Sequence, residues 1–235
     1  MFKVFVTAYQ TAKNWTKKNI NFSDQQRLRL AIEQLEQKNL ENSLAVFDDL
    51  AQIAQADPKV HWQIMKALTN FVRNNAPYQP QEEIKGSTLL TIRADIQAAL
   101  TVIASRNAQQ DLENELLDLS YTNISGAKLA GAYLERTNFD KTNLSGSDLS
   151  SANLQGAILS AANLTDANLS GANLQETILN AAILSGTNLS GANLQRANLH
   201  LAKLDGAILN NAIINGTNFR DAEFSSTNNN KNISN

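Results

Sequence analysis

The chain has 235 residues, 43% of them hydrophobic, a net charge of −2 and no cysteine. That length and apolar fraction suit one large or two modest folded domains and exclude a disordered or strongly polyanionic chain. The lack of cysteine excludes disulfides and thiolate metal sites, and no apolar run approaches the roughly 18 residues of a membrane-crossing helix.

The first twenty residues, MFKVFVTAYQTAKNWTKKNI, carry Lys3, Lys13, Lys17 and Lys18 and no acid. Phe2, Phe5, Tyr9 and Ala12 fall at helical spacing. Such a segment packs on its own domain or lies on an anionic membrane, so peripheral membrane attachment through residues 1–20 is an alternative reading. Its broken apolar run, with no small-residue cleavage pattern after it, makes a poor secretory signal, and the expected compartment is the cytoplasm.

A helix capped by Ser23 or Asp24 is expected next, with Leu28, Ala31, Ile32 and Leu35 along one face. A second runs through Leu44, Phe47, Leu50, Ala51 and Ala54 and stops before Pro58. Pro58 suits the first turn of a third, bearing His61, Ile64, Met65, Leu68, Phe71 and Val72. NNAPYQPQEEIKGS (74–87) reads as a loop, and Ile92, Ile96, Ala99, Leu100 and Ile103 mark a fourth helix. A short fifth, QQDLENELL (109–117), is expected to link and cap. These helices form a small antiparallel bundle.

All three prolines and both tryptophans precede residue 90, while nine of the ten glycines follow residue 125. The expected organisation is therefore α+β in two segments. A helical domain spans 1–108, a linking and capping helix 109–116, a repeat region 117–226 and a disordered tail 227–235.

From Leu119 to Phe224 every fifth residue is Leu, Ile or Phe, 22 positions without a miss, and 17 of them are Leu. The residue two before each is small, Leu117 excepted. Five steps of an α-helix rotate about 140° and would smear the leucines around it. A strand would send successive leucines to opposite faces. Only a chain that turns a corner once per repeat buries them all, with the Leu and the small residue two before it both inward. Nine glycines, from Gly126 to Gly216, all sit two after the central residue and mark that corner. The expected core therefore includes Leu144, Leu149, Leu154, Leu159, Leu164, Leu169, Leu174, Leu179, Leu184, Leu189, Leu194 and Leu199.

Units such as GANLQ, SANLQ, TNLSG and DANLS resemble the A(D/N)LXX units of pentapeptide-repeat proteins. The resemblance implies a right-handed, quadrilateral parallel β-helix, a solenoid whose 22 repeats make about 5.5 coils and a rod of roughly 26 Å. Residues 27–73 with 94–103 are similar to a helical segment that precedes the repeats in some cyanobacterial members.

An interior filled by leucine and alanine leaves no axial cavity, so function is expected on the outside or at the ends. Outward positions are mostly polar, and Asn143 and Asn163, or Asn153, Asn173 and Asn193, should stack as amide ladders. Ile158, Ile178, Ile183, Ile208 and Ile213 break that pattern, as does Tyr133, and together they are the candidate interaction patch. Ends of such a rod expose strand edges, and an uncovered one favours self-association.

No polar constellation points to catalysis, cofactor or metal. His61 is expected to pack or cap, and His200 has no obvious partner. Some relatives are thought to mimic DNA and act on gyrase or topoisomerase. A 26 Å mimic would want about 15 negative charges, against nine acids and six bases in residues 117–226. No basic stripe suggests nucleic-acid binding. The reading favoured is a non-catalytic protein-interaction or structural scaffold with an unidentified protein partner, and DNA mimicry and membrane attachment are the alternatives.

Overall fold

The computed structural model describes residues 24–36, 43–78, 92–111 and 115–224. Residues 1–20, the putting of Ser23 at a cap, most of the 74–87 loop and the tail 227–235 lie outside the described residues.

Among the described residues four α-helices precede the repeats: α1 (Asp24–Glu36), α2 (Ser43–Ala56), α3 (Pro58–Asn75) and α4 (Ala94–Ala104). Asp57 caps α3 through its side chain, which accepts from the Lys59 N–H at 3.0 Å, and Pro58 takes the first turn, where a missing N–H costs nothing. α1 packs on α2 and α3, and α4 on the same two helices. Val46, Phe47, Leu50, Ile64, Met65, Leu68, Ile96, Leu100 and Ile103 fill the space between them, with Phe47 and Phe71 edge to face at 5.3 Å. Leu44, expected on the apolar face of α2, is instead 37% exposed, because Ala45, Val46 and Ile53 carry the burial there.

In the repeats, residues 20 apart form parallel bridges, from Asp118 with Asn138 to Lys203 with Glu223. Four five-residue sides thus complete a coil, centred in the first on Leu119, Ile124, Leu129 and Leu134, and called here the first to fourth sides. Each central N–H donates forward to the next coil, as Leu144 to the Asn163 carbonyl at 2.7 Å. The residue before it donates backward, as Asn143 to the Thr122 carbonyl at 2.8 Å. The twelve leucines from Leu144 to Leu199 are all at most 1% exposed. Burying each contributes about 1.5–3 kcal/mol. At the small position several Thr hydroxyls reach a carbonyl: Thr142 donates to Leu119 at 2.8 Å and Thr187 to Leu164 at 2.7 Å, whereas the Thr137 hydroxyl is buried without a partner among the described residues.

At every corner from Tyr121 to Asp221 the residue two after the centre has a positive φ, in nine glycines and twelve other residues. The next N–H closes the turn onto the central carbonyl, as Ala152 onto Leu149 at 3.1 Å. A positive φ at only the third residue of the turn is the type II pattern.

The helical domain covers the first coil's edge by imitating the coil that would precede it. On the second side, Asn123 donates to the Ala76 carbonyl and Tyr78 to the Tyr121 carbonyl, both at 2.7 Å, with Pro77 bridged antiparallel to Thr122. On the third, the Gln97 side chain accepts from the Lys128 N–H at 2.8 Å and donates to its carbonyl at 2.9 Å. On the fourth, Tyr133 donates to the Ala104 carbonyl at 2.9 Å, and Arg106 donates to the carbonyls of Tyr133 and Glu135.

Two sequence expectations change here. In place of the linking helix expected at 109–116, the described residues form a 3-10 turn, Ala108–Gln110, and Asp111 and Glu115–Leu117 are not helical; 112–114 lie outside the described residues. The side chain of Asn107 accepts from the Gln109 N–H at its start, and Asp111 is pulled out of helical geometry by Arg106 and His61. Capping falls instead to residues 76–78, 97 and 104–106, so part of the expected loop pairs with the first coil through the isolated Pro77–Thr122 bridge.

Candidate interaction surface

The polar surface of the rod is a ladder of side-chain amides. The residue before each centre, when Asn or Asp, accepts from the N–H two residues on, as Asn143 from Ser145 at 3.1 Å. It also links to the rung 20 residues away. Asn143 donates to Asn123 at 3.1 Å, Asn173 to Asn153 at 2.9 Å and Asn218 to Asn198 at 2.9 Å. Asp148 accepts from the Ser150 hydroxyl and N–H and from Asn168. The two bonds from Ser150 hold its carboxyl below the usual carboxylate range, and partial burial only slightly opposes them.

The isoleucines interrupt these ladders. Ile158 and Ile178 bridge one another on the first side, between the rungs of Asn138 and Asn198. Ile183 follows on the second side, Ile208 on the third and Ile213 on the fourth. The set is therefore not one patch: the structure brings Ile158, Ile178 and Ile183 together around one corner and leaves Ile208 and Ile213 on other sides near the far end. Tyr133, 53% exposed, sits at the junction with the helical domain, away from all five.

The sequence reading missed the corner itself. Between the first and second sides its column reads Tyr121, Lys141, Ala161, Ala181, Leu201 and Asp221, with no glycine. Leu201 is 51% exposed at φ 60°, a conformation that costs a side-chain-bearing residue about 1–2 kcal/mol. With Ile178, 38% exposed, and half-buried Ile158 and Ile183, it makes an apolar ridge along one corner of the rod. Reading the residue two after each centre at a period of 20 finds this column in the sequence; a period of five hides it.

Titratable groups gather elsewhere. His61, 2% exposed, faces Asp111 at 3.3 Å, and Arg106, 4% exposed, donates to the same carboxylate at 2.9 Å. Burial pushes the Asp111 carboxyl up, but hydrogen bonds and charge from His61 and Arg106 outweigh it and hold it below its ordinary value. A cavity of about 190 Å³ beside them is lined by Ala51, Ala54, His61, Met65, Val102 and Arg106 among others. Arg106 spends its donors on Asp111 and on two rod carbonyls, and the cluster works as a joint between the two segments. His200, expected to stand alone, has its ring Nδ1 2.9 Å from the Arg220 carbonyl and 3.6 Å from Asp221. Among the described residues no group of three His, Asp or Glu is placed to hold a metal ion, and no helix is long and apolar enough to cross a membrane.

The family model for pentapeptide repeats matches eight copies in overlapping stretches, 118–156, 142–180, 157–196 and 179–211. Among solved structures, a pentapeptide repeat protein from Nostoc Pcc 7120 is 35% identical over 43% of this chain and 84% of its own, with a TM-score of 0.38. One from the cyanobacterium Cyanothece 51142 is 31% identical over 46% of this chain and 84% of its own, with a TM-score of 0.23. One from the Arabidopsis thaliana thylakoid lumen is 33% identical over 46% of this chain, with a TM-score of 0.27; the chain spans 66% of that protein. No curated protein matches. With its unbroken register of five and these identities, the chain belongs to the pentapeptide-repeat family.

Proposed function

We propose that the protein is a non-catalytic interaction scaffold. A right-handed, four-sided β-helix, capped by a helical domain, presents the ridge of Ile158, Ile178, Ile183 and Leu201 to a protein partner. The observation that supports it is a set of side chains that folding alone does not favour. Asn in place of Ile158 and Ile178 would continue the amide ladder, and Gly in place of Leu201 would relieve its corner. A surface that forgoes both is explained by what docks there.

The test is the triple variant Ile158→Asn, Ile178→Asn and Leu201→Gly. Its melting temperature should hold or rise, while pull-down from the source cells loses a protein that the unaltered chain captures. A captured set that is the same for both overturns the reading. A variant that melts lower assigns these residues to the fold. The net charge of −3 in residues 117–226 speaks against DNA mimicry, and gyrase supercoiling should proceed undisturbed at micromolar protein. The cytoplasmic reading rests on the cysteine-free composition, and cell fractionation checks it.

A further inference from the structure

The cavity beside His61 and Arg106 has the build of a pocket. Ala54, Met65 and Val102 are buried at its floor, Ala51 is half-buried in its wall, and Gln55, Ser105 and Asn107 are exposed at its rim. Three elements supply it: the last turns of α2, the first turns of α3 and the end of α4. Folded interiors leave few voids larger than a water molecule, so about 190 Å³ of open space is a feature to explain. A cavity of roughly 150 Å³ already holds a benzene ring between apolar side chains. Met65, unbranched and soft, lets the floor adjust to a guest.

Two buried polar side chains line the same space, His61 and Arg106, at 2% and 4% exposed. Arg106 helps to hold Asp111 ionised, so the His61 Nε2, 3.3 Å from that carboxylate, carries a hydrogen and donates it. The other ring nitrogen, Nδ1, has no partner among the described residues. Of the five N–H groups of a guanidinium, Arg106 engages three, with Asp111 and the Tyr133 and Glu135 carbonyls. Two remain without an acceptor among the described residues. Buried donors of this kind are costly until something accepts from them.

We propose that this pocket binds a small apolar carboxylic acid, its head at His61 and Arg106 and its tail over Ala54, Met65 and Val102. The volume suits a ring or chain on the order of six or seven carbons. One proton lies between an acid oxygen and Nδ1, whichever of the two carries it, and the guanidinium meets the acid's remaining acceptor sites. An amine of the same shape would set a second cation beside Arg106, and an alcohol would leave the guanidinium unmet. The C-terminal turns of α2 and α4 favour a cation by about half a charge each, but they end at the exposed rim, where water screens them. Arg106 carries a full charge at the buried end, and that decides the sign. The pocket is independent of the ridge on the rod. Because Arg106 also holds two rod carbonyls, an occupant bears directly on the joint.

Calorimetric titration of the full chain with benzoate, hexanoate, benzyl alcohol and benzylamine tests this. Benzoate or hexanoate should bind one per chain with a dissociation constant below about 1 mM, at least 10-fold tighter than the alcohol or the amine. In imidazole NMR spectra the His61 signals should move on binding while those of His200, the chain's other histidine, stay fixed. Ala51→Leu fills the pocket from its wall and should weaken the acid about 10-fold or more at an unchanged melting temperature. His61→Phe keeps the space but removes half of the head, and should erase the preference for acid over alcohol. A misfolded chain would lose both ligands alike, so that change in selectivity decides the matter if Ala51→Leu melts lower. Acids that bind more weakly than about 1 mM, or no better than the alcohol or the amine, overturn the proposal. So does binding that moves His200 and not His61, or a selectivity that His61→Phe leaves intact.

Discussion

The helical domain and the rod exclude water with different materials and different wiring. Between the helices the filling is varied: Phe47, Ile53, Trp62, Met65 and Leu68 each occupy a site of their own shape. Inside the rod nearly every layer is leucine over alanine, serine or threonine. Helix hydrogen bonds close within four residues, whereas a rod N–H reaches a carbonyl 19 residues on or 21 back. A helix is thus secured largely by its own sequence and packing. A coil is secured only by the coils on either side, so the rod depends on how its ends are finished.

The most severe way to separate the two regions is Leu169→Lys. It places an unpaired charge where 1% of the side chain meets water, and the loss should be several kcal/mol. Loss of rod structure by circular dichroism, with Trp fluorescence retained, is the expected signature, since Trp15 and Trp62 both lie in the first segment.

Arg106→Met comes next and addresses the joint. It strips the bonds to the Tyr133 and Glu135 carbonyls and leaves Asp111 facing His61 alone, at a cost of about 3–5 kcal/mol. Denaturation followed by fluorescence and by circular dichroism should give one transition in the natural chain and two in this variant.

The same joint should show in acid. Asp111 has a lowered folded value, so its contribution is complete above the ordinary carboxylate value of about 3.9 and disappears as pH falls through the lowered one. The stability gap between the natural chain and Asp111→Asn should therefore be constant near neutrality and close below about pH 4. A gap that persists there removes Asp111 from the joint.

The smallest effect sharpens the corner argument. Leu201→Gly should stabilise by about 1 kcal/mol and Gly171→Ala should destabilise by a similar amount, both by chemical denaturation. Equal and null effects would mean that the positive φ carries no strain.

Legibility followed the repetition. The inward leucines and the glycine corners were readable because the same physical demand recurs every five residues, and one exception would have shown. The ladders followed from the same register. The cap was not readable, because Gln97 and Arg106 each act once, by imitating a missing strand that no local pattern encodes. Asp111 misled in its own way: within QQDLENELL it reads as one more helical residue, yet its two partners lie on α3 and after α4. The ridge was half seen, since isoleucine stands out among asparagines while Leu201 hides among leucines until the coil length is known.

The uniform pitch of 20 residues carries a consequence for how such a molecule changes size. Losing or gaining one residue in mid-rod would swing every later leucine from inside to outside, while duplicating a stretch such as 139–158 adds a storey and shifts nothing else. Growth by whole storeys leaves the roof and the foundation as they were, and such a lineage would vary in height long before it varied in girth.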